Sequence, residues 1–272
     1  MFVDILCAID GTPESFAAVE QAAVLAGSNG HLTLLEVTSF DSGGAHRDPA
    51  IPPVQAKDIL DRALGIAEKA GVQATVEVDP ESPPSQVVLA WAAGRDLLAM
   101  GAPSTSWLGG MFAGGVAVTA ESSFTTPLLV ARSMPAQGHF ARRILIASDG
   151  LAGSDELVEL ATDLARAQAA DVVLMHATGT ESKTRRLRVE EQGRRLQLAA
   201  DGATEVRLEA GSARAMIIET ADAVGASLVV MSSRRLKGLR VIGSVSRRVV
   251  HEGHCSVLLM PPERLAARIA RT

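Results

Sequence analysis

Short apolar runs alternate along this chain with longer segments whose apolar residues recur at helical spacing. One apolar run covers 97–100, and one helical segment covers 54–70, where Ile59, Ala63 and Ile66 share a face. Apolar runs separated by helix-length segments are typical of βαβ units, whose strands lie parallel in one sheet with right-handed crossovers. The pattern therefore predicts an α/β fold.

Each half of the chain is predicted to contain five strands. In the first half these are 2–9, 31–37, 72–78, 97–100 and 128–131, with helices near 14–26, 54–70, 84–93 and 116–121. In the second half they are 143–148, 171–177, 204–209, 228–231 and 257–260, with helices ending at 168, near 181–199, near 213–224 and from 244. A short basic helix is predicted for 263–272.

The two halves repeat one another. Residues 5–11 (ILCAIDG) correspond to 144–150 (ILIASDG), and the fifth strands also correspond. A repeat of this length indicates two domains of one architecture. We predict a first domain, a linker, a second domain and a basic tail, over 1–133, 134–141, 142–262 and 263–272.

Composition limits the class of protein. The chain has 272 residues, 47% of them hydrophobic and 3% aromatic, which is enough for two domain cores. It has no apolar run of membrane-spanning length and no signal-peptide pattern. Cys7 and Cys255 fall in or beside predicted buried strands, which favours reduced thiols and a cytoplasmic location.

Charge is divided unevenly between the halves. The net charge is −5, but residues 1–138 carry six Lys and Arg against fifteen Asp and Glu, whereas 139–272 carry twenty against sixteen. The acidic total argues against a general nucleic-acid binder. The basic second half requires another explanation.

The sequence contains no clear catalytic or metal-binding constellation. His251, His254 and Cys255 lie close together but lack an evident fourth ligand, so a helix end is the better interpretation. No catalytic triad or acid–base pair of carboxylates is evident, and His31 and His176 fall in strands as expected core residues. Whether the protein is an enzyme is left open.

Each half places a glycine- and serine-containing loop and a helix start after its fourth strand. Backbone N–H groups at such a start can bind an anion, although a flexible surface loop is the alternative. In a doubly wound sheet the loops after the first and fourth strands meet. This predicts Asp10 near Gly101 and Asp149 near Ser232. An Asp at this point either caps a helix or accepts hydrogen bonds from a ribose or an adenine amino group.

These features resemble the universal stress protein family in its tandem form. The family's fourth-strand motif is G-x2-G-x9-G-S/T; the first half has Gly101-x2-Ser104-x9-Gly114-Gly115, and the second has Ser232-x2-Arg235-x7-Gly243-Ser244. In the first half, Ser104 thus replaces the second glycine of the motif. In the second half, Ser232 and Arg235 replace the first and second glycines. The resemblance implies two flavodoxin-like doubly wound domains, each a five-stranded parallel sheet in the order 3-2-1-4-5, with ATP at the switch point.

The resemblance and the strand-end argument together give one set of candidate nucleotide-binding residues. In the first half they are Ala8, Asp10, Val37, Met100, Gly101, Ser104, Gly114, Gly115 and Val116. In the second half they are Ala147, Asp149, Ala177, Met231, Ser232, Arg235, Gly243, Ser244, Val245 and Ser246. The family analogy implies that the backbone at Ala8 and Val37, or at Ala147 and Ala177, lines the adenine.

The predicted ligand is ATP, with ADP or AMP as alternatives, in at least one half and with neither half favoured. Basic residues around the second loop form either a solvated face or a phosphate clamp: Arg234, Arg235, Lys237, Arg240, Arg247 and Arg248. The resemblance also implies that 128–131 lies against 257–260 in an intrachain pseudo-dimer, with homodimerisation between chains as an option.

Three functions remain at this point. The first is a nucleotide-binding stress-response regulator with an unidentified protein partner and at most slow ATP hydrolysis. The second is a nucleotide-free interaction module with degenerate ATP-binding loops. The third is an enzyme of the ATP-pyrophosphatase type, whose Ser-Gly-Gly-x-Asp-Ser motif matches neither half. We expect the first.

Overall fold

The structure is a computed structural model that describes residues 2–38, 53–80, 84–102, 126–133, 139–178, 183–232, 235–236, 239–242 and 244–261. The chain splits into two compact units, Met1–Ser133 and Met134–Thr272. Each unit has a parallel sheet with flanking helices, which confirms the predicted α/β class. The helices predicted for 116–121 and 263–272 lie outside the described residues.

The described part of the first unit contains five strands and three helices. The strands are β1 (Asp4–Ala8), β2 (His31–Val37), β3 (Gln73–Asp79), β4 (Leu97–Gly101) and β5 (Leu128–Ala131). The helices are α1 (Pro13–Ala26), α2 (Pro53–Lys69) and α3 (Pro84–Ala92).

Strand β1 lies at the centre of the first sheet. It pairs in parallel with β2 on one side and with β4 on the other, and β3 and β5 extend the sheet to give the order β3-β2-β1-β4-β5. Cys7 lies between Leu34 and Ala99, and all three side chains are fully buried. The central strands are apolar on both faces, as expected where helices cover both sides of a parallel sheet.

Helix α1 begins and ends where its sequence predicts. Thr12 is the N-cap and accepts a hydrogen bond from the Ser15 amide, while Pro13 takes the first helical position, where no amide donor is needed. Gly27 ends the helix with a φ of 63°. On the buried face, Phe16 lies under the guanidinium of Arg62 from α2, 4.0 Å from the ring centroid.

The described part of the second unit repeats this plan. Its main strands are β6 (Arg143–Ala147), β7 (Asp171–Thr178), β8 (Thr204–Ala210), β9 (Leu228–Ser232) and β12 (Ser256–Met260). Its helices are α4 (Ser154–Gln168), α5 (Lys183–Ala199), α6 (Ala213–Val224) and α7 (Ser244–Glu252). The strand order β8-β7-β6-β9-β12 is that of the first unit.

Two expectations from the sequence need correction. The stretch after β9 contains an antiparallel pair, β10 (Arg235–Leu236) and β11 (Leu239–Ile242), rather than an irregular loop. These two short strands pair with each other and are separated in the sequence by only two residues, which is typical of a hairpin. His176 is a core residue as expected, but His31 is only half-buried at the start of β2.

Candidate functional site

The first unit has a switch point between β1 and β4. The chain leaves β1 through α1 towards β2, whereas β4 pairs with β5 on the opposite side of β1. Crossovers that diverge in this way leave a crevice beyond the carboxyl ends of the two strands, which is the usual ligand position in doubly wound sheets. Ala8 and Met100, both in the candidate set, are paired at these ends.

Asp10 shapes the turn that leaves β1. Its Oδ1 accepts a hydrogen bond from the Thr12 amide at 3.0 Å and another from the Thr12 hydroxyl at 2.6 Å. Asp10 is exposed, so its carboxylate retains capacity to accept further hydrogen bonds. Asp10 thus stabilises the turn before α1, while Thr12 and not Asp10 is the N-cap of that helix. The contact of Asp10 with a ligand stays a prediction.

Gly101 has a structural reason to be glycine. An ideal Cβ at this position would lie 2.6 Å from the Ser15 amide nitrogen and 2.7 Å from the Glu14 carbonyl carbon, both backbone atoms of α1. Only a residue without a side chain lets the first turn of α1 lie against the end of β4. Asp10 and Gly101 thus belong to one small region of the unit, since α1 begins three residues after Asp10.

Of the other first-half candidates, the structure describes Val37 but not those in the loop after β4. Val37 ends β2, half-buried and paired with Asp79. Trp91 in α3 donates its Nε1–H to Asp79 Oδ2 at 2.8 Å, which anchors the ring. The remaining candidates, Ser104, Gly114, Gly115 and Val116, lie outside the described residues, as does Trp107.

Glu36, at the penultimate position of β2, is a buried acid that the sequence interpretation missed. Its side chain has no exposed surface, and in the described part of the chain neither carboxylate oxygen has a hydrogen-bond partner. Burial, followed by the negative charge of Asp10, raises the pKa of Glu36 to about 7. A charged residue close to the end of a mostly apolar strand was the signal that could have identified it.

The second unit has the same switch point, between β6 and β9. Asp149 Oδ1 accepts a hydrogen bond from the Leu151 amide at 2.8 Å, in a turn where Gly150 has a φ of 67°. An ideal Cβ on Gly150 would lie 2.9 Å from Cβ of Arg185, so α5 packs closely over this turn. Ala147 pairs with Met231 at the ends of the two strands.

A buried hydrogen-bond network underlies the second turn. Ser148 donates its hydroxyl to Gln192 Oε1 at 2.7 Å, and Gln192 Nε2 donates to Ser154 Oγ at 2.9 Å and Asp155 Oδ1 at 2.7 Å. Arg188 then donates to Asp155 Oδ2 at 2.6 Å. These contacts tie helix α5 to both the β6 end and the start of α4.

The other second-half candidates lie around the hairpin and α7. Ser232 ends β9, and Ala177 lies near the end of β7; both are half-buried. Arg235 begins the hairpin, while Ser244, Val245 and Ser246 form the first turn of α7, with Ser246 buried. Gly243 lies outside the described residues. The structure therefore places a helix start two residues after the hairpin strand that ends at Ile242.

The described residues give two further findings. None of the helices described is long and apolar enough to cross a membrane. In the same parts of the chain, no group of three or more His, Cys, Asp or Glu residues could hold a metal ion. His254 Nδ1 instead lies 3.2 Å from both carboxylate oxygens of Asp222.

Comparison with known proteins identifies the family. The model of the universal stress protein family matches residues 1–132 and again residues 141–261. No curated protein matches the chain.

Solved structures share the fold over nearly the whole chain. A universal stress protein from Archaeoglobus fulgidus DSM 4304 superposes with a TM-score of 0.73 and 20% identity, covering 94% of this chain and 95% of its own. A protein of unknown function from Pseudomonas aeruginosa PAO1 superposes with a TM-score of 0.68 and 20% sequence identity. The match covers 99% of this chain and 96% of that protein's chain. With its two matched segments, the chain belongs to the universal stress protein family.

Proposed function

We propose that the protein is a stress-response regulator that binds an adenine nucleotide, ATP first among the candidates, at the switch point of at least one unit. One observation carries the proposal: in both units an Asp lies two residues after the first strand and stabilises a turn beside the end of the fourth strand. Acceptors at this position suit the donors of a ribose or an adenine, and a following helix start suits phosphate.

The first unit supports the proposal through close backbone approach. Gly101 allows the N-terminus of α1 to lie at the end of β4, beside the turn that carries Asp10. In the second unit the corresponding support is the start of α7, where Ser244–Ser246 follow the hairpin. Both arrangements provide backbone N–H groups near a strand end, where negative charge is stabilised.

The first experiment is a calorimetric titration of ATP into the purified chain. We expect saturable binding, and removal of the Ser244 hydroxyl tests the second unit. If phosphate binds at the start of α7, Ser244→Ala weakens affinity by about 1.5–3 kcal/mol, the value of one charge-assisted hydrogen bond. Arg235→Ala weakens it as well, more strongly at low salt.

Unchanged affinity in both variants removes the second unit as the site. Thr204→Ala offers a matched control, since Thr204 begins β8 and belongs to neither switch point. Absence of binding by the wild type contradicts the proposal as a whole.

A second candidate, a nucleotide-free interaction module, is favoured by one observation in the second unit. The network of Ser148, Gln192, Ser154 and Asp155 satisfies the polar groups under the turn without a ligand. A turn held by its own side chains keeps the fold without nucleotide. The same titration separates the two candidates.

A further inference from the structure

The internal repeat places an acid and a histidine at equivalent positions. The Ile9 amide donates to the Leu35 carbonyl at 2.8 Å, and the Ser148 amide donates to the Met175 carbonyl at 2.9 Å. These bonds align the end of β2 with the end of β7. Glu36 follows Leu35, and His176 follows Met175, so the two buried side chains occupy corresponding places.

In the second unit the histidine holds the turn. His176 Nδ1 lies 2.8 Å from the Ser148 carbonyl oxygen. A carbonyl oxygen only accepts, so Nδ1 is the donor in this contact. The bond joins β7 to the residue that immediately precedes Asp149.

In the first unit the equivalent acceptor is the Ile9 carbonyl, which immediately precedes Asp10. An ionised Glu36 has acceptors only and cannot bond to a carbonyl, whereas a protonated Glu36 has one O–H to donate. Both of its oxygens lack hydrogen-bond partners among the residues that the structure describes, and its side chain is wholly buried. Leaving an ionised carboxylate in this state costs far more than leaving a protonated one.

We propose that Glu36 is a proton-operated latch: when protonated it donates to the Ile9 carbonyl, as His176 does to Ser148, and loss of the proton releases the turn that carries Asp10. The step is a simple ionisation, in which the proton passes to solvent and the O–H···O=C bond is lost. The effect of the latch on ligand affinity rests on the proposed function; the latch itself does not.

The surroundings of Glu36 set the pH at which the latch operates. Burial and the charge of Asp10 raise the pKa of Glu36 to about 7. No basic side chain among the described residues acts to lower it. The charged residues on the elements packed against β2 are Glu14 and Glu20 on α1, Lys57, Asp58, Asp61, Arg62, Glu68 and Lys69 on α2, Glu77 and Asp79 on β3, and Asp4 on β1.

Amide hydrogen exchange tests the latch without any ligand. The reporters are the Ile9 and Thr12 amides, and the Ser148 and Leu151 amides are their internal controls in the second unit. After correction for intrinsic exchange, we expect protection of the first pair to fall by up to about tenfold per pH unit between the ordinary carboxyl pKa of 4.5 and about 7, and to level off above that range. Protection of the control pair should stay level.

Two substitutions complete the experiment. Glu36→Gln supplies a donor at every pH, and Glu36→His installs the residue of the second unit. We expect protection at Ile9 and Thr12 to be independent of pH in Glu36→Gln. The same fall in Glu36→Gln as in the wild type, or no fall in the wild type, overturns the latch. The comparison of the two pairs within the wild type decides the matter even if a variant fails to fold.

ATP titration at low and high pH tests the consequence for the site. Ionised Glu36 adds a second negative charge beside Asp10, so wild-type affinity should fall as the pH rises, whereas that of Glu36→Gln should change only as ATP itself ionises. Equal pH dependence of the two proteins contradicts this link. If neither protein binds ATP, the proposed function fails, and the exchange experiment alone decides the latch.

Discussion

At the residue scale, Gly101 is both a candidate site residue and a packing position that the fold requires to be small. A Cβ here would lie 2.6 Å from the Ser15 amide nitrogen, closer than real contacts allow. Since the obstructing atoms belong to the backbone of α1, the helix must move. We expect Gly101→Ala to lower the free energy of unfolding by about 1–3 kcal/mol, as overpacking does, with urea denaturation as the measurement.

Gly65 provides the matched control for Gly101. It lies inside α2, and a Cβ added there would meet nothing within 4 Å. Because glycine is a poor helix former, Gly65→Ala should raise the free energy of unfolding by about 0.8–1 kcal/mol. Opposite signs for the two substitutions support the packing argument, and equal effects refute it.

Glu36 should make the stability of the first unit depend on pH. Below about pH 4.5 its carboxyl is protonated in both the folded and the unfolded chain, so the free energy of unfolding does not change with pH on account of this group. Between 4.5 and about 7 the unfolded chain loses the proton while the folded chain keeps it, so stability falls as the pH rises. The loss reaches about 3 kcal/mol and is complete above the folded pKa.

Glu36→Gln removes this dependence. We expect urea denaturation to show that the free energy of unfolding of the variant increases relative to that of the wild type as the pH rises from about 5 to about 7. Above that range the difference between the two should be constant. A difference that does not change with pH would mean that the side chain is ionised in the folded protein. His176→Gln is the comparison at the equivalent position of the second unit.

Some of these residue-level features could be predicted from the sequence. The turn role of Asp10 follows from an Asp before Gly and Thr, because a short carboxylate accepts from amides two residues on. The unpartnered state of Glu36 could not be predicted, since it depends on what surrounds the carboxylate in three dimensions. The repeat offered a hint, because aligned halves place Glu36 against His176.

At the element scale, the buried side chain of Gln192 links helix α5 to the second switch point through several hydrogen bonds. Gln192 is 2% exposed and bonds to Ser148, Ser154 and Asp155. Gln192→Met keeps the size but leaves these groups without partners, so the free energy of unfolding should fall by about 1–3 kcal/mol.

Gln197 in the same helix is exposed and serves as the control for Gln192. Gln197→Met should change stability by less than about 0.5 kcal/mol, the usual limit for a surface substitution. If the two variants are equally stable in urea, the network does not hold α5 to the turn.

The elements themselves were largely predictable, and the exception has a physical cause. Most of the main strands are apolar runs, whereas β3 and β8 alternate apolar and polar residues; all are bounded by helix-length segments or loops, so the pattern finds them to within about two residues. The β10–β11 hairpin was missed because its strands have only two and four residues and carry arginines. Such short strands lack the apolar alternation by which strands are recognised.

At the scale of the whole molecule, the two proposed nucleotide sites differ in what surrounds them. Among the described residues, the first unit has a buried acid without hydrogen-bond partners near the end of β2, while the second has a satisfied polar network under its turn. The repeat in sequence predicted equal architecture but could not predict this difference, since it arises from a few unmatched side chains. A ligand experiment must therefore report on each unit separately.

The two tryptophans of the chain make the first unit directly observable, because the sequence contains no tyrosine. Trp91 is anchored to Asp79 at 2.8 Å in α3 and should respond little to ligand. Trp107 follows β4 in the sequence and belongs to the loop predicted to surround phosphate. We expect ATP to produce a saturable fluorescence change in the wild type that is absent in Trp107→Phe. Calorimetric binding without a Trp107 signal would instead assign the nucleotide to the second unit.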